Sequence, residues 1–364
     1  MNLLRKTRIR GIWIVVTVST LLTLMVLLTQ HKLSKPSRIY AVRSRTTPLP
    51  PMLNSLGSWV PITDTSEVAM AAKPLTTSFP TRHGGCHPYH TSETTQTKFR
   101  FPNNTRPRGI IDLWNLLHSK RILVIGDSVV EQFYESWVLA SIDVGLLVET
   151  VEPVNPVPGT QAGSSLFPIT RTGVFIADFN VTLWNMKSYR VDDSAGDGRK
   201  HVITLDQVRW AVSQVDVVLI GFGMHYTNNA TDFAGFEDAM QHISIVLDSA
   251  VKTKGLVVVW KDMTPNYYQG GQLPEKPRLC GNRRIEYREH NDILTKVFSR
   301  KKGFYNLNTR DIYWNKWEAK KGKFKSGSVL DCVHFCHNPF IFEPILNGIY
   351  EIIYRHYEAK GAKI

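Results

Sequence analysis

The chain of 364 residues holds only four cysteines, at 86, 280, 332 and 336. They are too few to build a small fold on disulfides, yet their even number permits two bridges, in any of three connectivities. Acidic residues are also scarce, 31 Asp and Glu against 44 Lys and Arg, which leaves a formal charge of +13. The excess cations form no dense basic stripe; they are scattered among apolar runs, which argues against a nucleic-acid partner. A basic surface that attracts acidic glycans fits the same charge. No internal repeat is visible.

One long uncharged apolar run is present, residues 11–29 (GIWIVVTVSTLLTLMVLLT), preceded by Arg5, Lys6, Arg8 and Arg10. It is long enough to cross a bilayer as a helix. Gln30, His31 and Lys32 follow where a cleaved signal peptide would carry small residues, so an uncleaved anchor is expected. Lys32, Lys35, Arg38, Arg43 and Arg45 balance the charges before the run, so charge alone sets no orientation. The short tail 1–10, the position of every cysteine after the run, and the sequons at Asn103, Asn180 and Asn229 place the bulk of the chain on the luminal side. A single-pass type II membrane protein follows as the expectation.

Residues 30–85 are rich in Ser, Thr and Pro and lack sustained apolar periodicity, as in a stem. From Cys86 to 364, short β-branched runs alternate with amphipathic stretches. Residues 121–125, 174–179, 215–220 and 256–260 read as buried strands, and 131–142, 236–251 and 344–356 as helices, the last with Pro344 in its first turn. The alternation predicts an α/β fold: a parallel central sheet with helices on both faces, and ligands beyond the carboxyl ends of its strands.

Gly126-Asp127-Ser128 follows the strand RILVI and opens the helix VEQFYESWVLASI. A serine on such a strand-to-helix turn suits a nucleophile. The run Ser128-Val129-Val130-Glu131 also matches a helix capping box, in which the serine oxygen serves the backbone instead. Near the other end, Asp331-Cys332-Val333-His334 sets a carboxylate three residues before an imidazole, so that the Asp can orient the ring that activates a serine. Cys332, His334, Cys336 and His337 are also zinc-ligand types, but a closed site needs a second cluster, and only the single Cys86 and Cys280 remain. Disulfides are the stronger reading, and no metal is expected.

The two motifs together resemble the SGNH (GDSL-like) hydrolases, and most closely their PC-esterase and trichome-birefringence-like branch. The resemblance is carried by FRFPNNTRPRGIIDLWNLLHSKRILVIGDS, VDVVLIGFGMHY, VVVWKDMTPNYY and DCVHFC, from about Cys86 to the end. It implies a three-layer α/β/α domain with a Ser128, Asp331, His334 triad. It implies that Cys332 and Cys336 are bridged and brace the histidine loop, with Cys86 and Cys280 as candidate partners. The branch's usual Asn-containing block is not recognisable; Gly221-Phe222-Gly223 stands in its place. The backbone N–H groups of Ser128 and Gly223 are therefore the candidate oxyanion donors, with a plain glycine turn as the alternative for Gly223. His225 is a candidate substrate contact or a structural loop histidine. Anchor and stem together are similar to those of the Golgi members.

What the resemblance implies is an O-acetyltransferase acting on glycan or polysaccharide hydroxyls. It would use no bound cofactor, with acetyl-CoA or another acetyl ester as co-substrate, at the Golgi membrane. An esterase of the same fold would run the same chemistry with water as acceptor. A non-catalytic glycan-binding relative would keep the fold alone. A glycosyltransferase would share the anchor and stem, but the Asp-x-Asp tripeptide with which many of them hold a metal–nucleotide does not occur.

Overall fold

The computed structural model describes residues 58–63, 97–101, 107–151, 172–191, 202–226, 230–269, 280–285, 287–314, 333–335 and 339–361. The expected anchor, most of the expected stem, Asp331 and the cysteines at 86, 332 and 336 lie outside these residues. Among the described residues, no helix is long and apolar enough to cross a membrane.

The core of the fold is a seven-stranded sheet. Its strands in chain order are β1 (Arg121–Gly126), β2 (Val148–Val151), β3 (Thr172–Ile176), β4 (Val181–Lys187), β5 (Val217–Gly221), β6 (Val257–Lys261) and β7 (Phe304–Leu307). Their spatial order is β7-β6-β5-β1-β4-β3-β2. The pairs β7/β6, β6/β5, β5/β1 and β1/β4 are parallel, and β4/β3 and β3/β2 are antiparallel. The sheet is thus mostly parallel rather than parallel throughout. A 3-10 turn, Ala177–Phe179, ends β3 and returns the chain directly into β4. The run 174–179 is therefore one arm of a hairpin, and β2, β4 and β7 join the strands expected from the sequence.

Alternation along the central strands divides the core in two. Ile122, Val124, Val217, Leu219, Val257 and Val259 face one side. Leu123, Ile125, Val218, Ile220, Val258 and Trp260 face the other. The first face is covered by α1 (Ile110–Leu116), α2 (Ser128–Asp143) and α6 (Pro339–Ala359). The second is covered by α3 (Leu205–Ser213), α4 (Ala230–Lys254) and α5 (Arg288–Phe298). Strands buried on both faces must be apolar at every position, which is why ILVI and VVVW read as continuous runs. Each enclosed aliphatic or aromatic side chain contributes roughly 1.5–3 kcal/mol.

Helix α6 begins earlier than expected, so Pro344 lies inside it rather than in its first turn. The missing Pro344 N–H costs one backbone bond there. At the other end of the domain, Ser58–Pro61 pairs with Thr97–Arg100, and the Trp59 indole donates to the Ile312 carbonyl at 2.8 Å. Packed structure therefore reaches back to Ser58, into the stretch that composition alone reads as stem.

The chain leaves β1 first toward β4 and later toward β5, so β1 marks the reversal of strand order. In open α/β sheets the crevice beyond the carboxyl ends of the strands at this point is where ligands bind. Ser128 stands at that edge of β1.

Candidate active site

Close backbone packing builds the turn that carries Ser128. Gly126 has φ +148°, and a Cβ there would lie 1.9 Å from the Gly221 carbonyl oxygen, so no larger residue fits. The Asp127 N–H donates to that same oxygen at 3.1 Å, and the Ser188 N–H donates to the Gly126 carbonyl at 2.6 Å. The ends of β1, β5 and β4 are thereby tied together at one point.

Asp127, not Ser128, is the N-cap of α2; its carboxylate accepts from the Val129 and Val130 N–H groups at 3.0 and 3.4 Å. This corrects the capping-box reading of Ser128. The preceding residue has the extended backbone that a cap requires and a carboxylate that suits the positive helix end. Ser128 is the first helical residue, and its Oγ lies 2.7 Å from Nε2 of His334. Both side chains are buried. A hydroxyl and an imidazole nitrogen at this separation can pass a proton between them.

His334 reaches Ser128 from a segment 206 residues further along the chain. Phe335 holds that segment in place. Its ring is fully buried 4.4 Å from the ring of Tyr313, whose hydroxyl donates to the Ile341 carbonyl at 2.5 Å. Its backbone is bound by Gln132: Nε2 donates to the Phe335 carbonyl at 2.7 Å, and Oε1 accepts from the Phe335 N–H at 2.9 Å.

The loops beyond β4 and β5 form a second wall. The His225 ring stacks on Tyr189 at 3.8 Å, and Arg190 donates twice to the His225 carbonyl, at 3.0 and 2.7 Å. The Arg190 guanidinium also lies over the Tyr226 ring. Burial holds the His225 pKa below its ordinary value; Asp127 opposes this, while Arg190, Lys187 and His334 reinforce it. The neutral ring therefore shares an electrostatic neighbourhood with Asp127 and His334. Its Nε2 is buried and has no hydrogen-bond partner among the described residues.

Beneath these loops lie two buried lysines. Lys187 pairs with Glu131 at 2.5 Å, and Asn185 donates to the other Glu131 oxygen at 3.3 Å. Lys261 is pushed below its ordinary pKa by burial, with Asp127 and Asp262 pulling it back up. A Cβ on Gly221 would lie 2.6 Å from Cγ of Lys261, so the glycine leaves room for the lysine stem.

Gly223 has φ +142°, and a Cβ there would sit 2.2 Å from Sδ of Met263. Its carbonyl accepts from the Tyr226 N–H at 3.0 Å and closes the turn that carries His225. Glycine is thus demanded by backbone shape and by Met263, which Asn291 holds through the Met263 N–H at 2.7 Å.

Of the residues singled out from the sequence, Ser128 and His334 meet directly, and His225 lies in the same electrostatic cluster. Asp331, Cys86, Cys332, Cys336, Asn103 and Asn229 lie outside the described residues. Cys280 opens a short strand paired with Asn266–Gln269. Asn180 is exposed at φ +53°. Gln132, Lys187 and Tyr189 were not anticipated. For Gln132 a signal existed: a polar residue one helical turn after Ser128, in a helix otherwise expected to face the core.

Neither protein-family models nor curated proteins give a match to this chain. Among solved structures it is similar to the periplasmic domain of a lipopolysaccharide acetyltransferase from Salmonella ser. Paratyphi A. The two share 11% identity over 69% of this chain and 87% of that one, with a TM-score of 0.31.

Proposed function

We propose that the chain is a serine-dependent O-acetyltransferase of the SGNH type, within the PC-esterase and trichome-birefringence-like branch, acting on glycan or polysaccharide hydroxyls. The observation that carries this reading is the 2.7 Å contact of Ser128 Oγ with His334 Nε2 at the first turn of a helix on the sheet's carboxyl edge.

In this reading Ser128 Oγ attacks the carbonyl carbon of an acetyl donor, acetyl-CoA or another acetyl ester, as His334 takes its proton. Asp331 orients the imidazole and stabilises its charged form. The oxyanion is met by the N–H of Ser128, the one amide of the first turn that the Asp127 cap leaves unused, and by the N–H of Gly223. The positive end of α2 favours the same negative charge. Collapse expels the donor's leaving group, which takes the proton from His334. A sugar hydroxyl then attacks the acetyl-serine and gives its proton to His334, which passes it to Ser128 Oγ as that oxygen leaves. The stacked Tyr189 and His225 rings offer a flat wall for the acceptor, and Cys332 and Cys336, bridged, would brace the histidine loop. Residues 1–10 and 11–29 supply tail and anchor, and the part of 30–85 that precedes Ser58 supplies the stem, which hold the domain in the Golgi lumen.

The full chain, purified and incubated with an activated acetyl ester, is expected to gain one acetyl group by intact mass, and Ser128→Ala to gain none. Transfer of that group to an added glycan supports the transferase. Release as free acetate, unchanged by any glycan, supports an esterase instead. An unmodified wild type, or an adduct that survives Ser128→Ala, rejects acyl chemistry at this site.

A further inference from the structure

Helix α2 buries a carboxamide where apolar packing would serve. Gln132 is fully enclosed, between Glu131 and Phe133 on a helix whose first twelve residues are all buried. An enclosed amide left unpaired is destabilising, whereas one with both bonds made is close to neutral against an apolar side chain of equal size. Core stability therefore does not call for glutamine here. What its bonds add is location, since both go to one residue, the N–H and the carbonyl of Phe335.

Phe335 is the residue after His334, and Ser128 is one turn before Gln132 on the same face of α2. The helix thus holds the C-terminal segment at adjacent points: Gln132 grips the Phe335 backbone, and Ser128 Oγ meets His334 Nε2 at 2.7 Å. His334 itself belongs to no helix and no sheet strand. A loop histidine needs such a support, because proton transfer requires a heavy-atom separation near 2.6–3.2 Å, and geometric slack of about 1 Å can cost a hundredfold in rate.

We propose that Gln132 is a positioning residue, which docks the Val333–Phe335 segment on α2 and so sets His334 on Ser128. This rests on the reading of Ser128 and His334 as nucleophile and base, and the test separates the two. Ser128 acetylation by an activated acetyl ester is timed by intact mass in the full chain, in Gln132→Met, in His334→Ala and in the double variant. Folding is checked by thermal melting.

Gln132→Met, which keeps the volume and loses both bonds, is expected to slow acetylation roughly 10–100-fold with the KM for the ester unchanged. In the His334→Ala background the same change is expected to alter the rate less than about twofold, because the group it positions is gone. Gln132→Leu, which likewise loses both bonds, gives a similar loss, again only where His334 is present, and is read in the same cycle if Gln132→Met does not fold. A wild-type rate in the Gln132 variants, or an equal fractional loss in both backgrounds, overturns the positioning role alone. A wild-type rate in His334→Ala overturns the parent reading, whatever Gln132 does.

Discussion

Asp127 and Ser128 divide two tasks that one residue could have taken. The Asp127 carboxylate satisfies the N–H groups of Val129 and Val130, and this leaves the Ser128 hydroxyl for His334. Asp127→Ala should therefore lower stability by about 1–2 kcal/mol, the usual loss on removing a cap, while Ser128→Ala should cost less than half of that. Denaturant unfolding of the two variants checks the assignment, and the reverse order would return the capping role to Ser128. Gly126 shows the same dependence on a neighbour: nothing in GDS announces that its Cα faces the Gly221 carbonyl, because Gly221 lies on another strand.

Among the elements, α6 carries the clearest electrostatic cost. Glu351 is 4% exposed, and neither of its oxygens has a hydrogen-bond partner among the described residues; Nε of Arg355 is 3.9 Å away. Burial raises its pKa to about 7, against the partial pull of Arg355 and Arg108. In the unfolded chain a glutamate ionises near pH 4.3, so the folded state is the poorer host for the charge. The resulting penalty is absent at low pH, grows as pH rises from about 4 to 7 and is constant above that. Glu351→Gln should raise the melting temperature by about 2–6 °C at pH 8 and leave it unchanged near pH 4. Melting curves at the two pH values decide it, and an equal shift at both would assign the effect to packing instead. The identity of the elements was largely legible, since ILVI, VVLI and LVVVW are apolar at consecutive positions, as two-sided burial requires. The direction of β3 was not, because antiparallel pairing depends on how closely β4 follows, and the 3-10 turn between them has no apolar signature.

At the scale of the whole molecule, packed structure extends back to Ser58 through Trp59, so the tests above use the full chain. The proposed luminal placement makes Asn180 a reporter. It is exposed, begins the sequon Asn180-Val181-Thr182, and its Nδ2 donates to Ser119 Oγ at 3.0 Å at the protein surface. Expressed with microsomes, the full chain should gain endoglycosidase-sensitive mass and resist added protease, and Asn180→Gln should remove one glycan's worth of the shift. Protease sensitivity with intact membranes would reject the orientation.

The sequence by itself determined what is local. It carried the apolar period that makes buried strands, the strand-to-helix placement of Ser128, and the Asp–His spacing of three residues that nominated the C-terminal motif. Tertiary structure alone decided which side chain caps α2, that Ser128 and His334 stand 2.7 Å apart, and that Gln132 grips the residue beside that histidine. The physical reason is one of range: helix and strand signals repeat over a few residues, whereas the site joins segments 206 residues apart, whose distance no local pattern encodes.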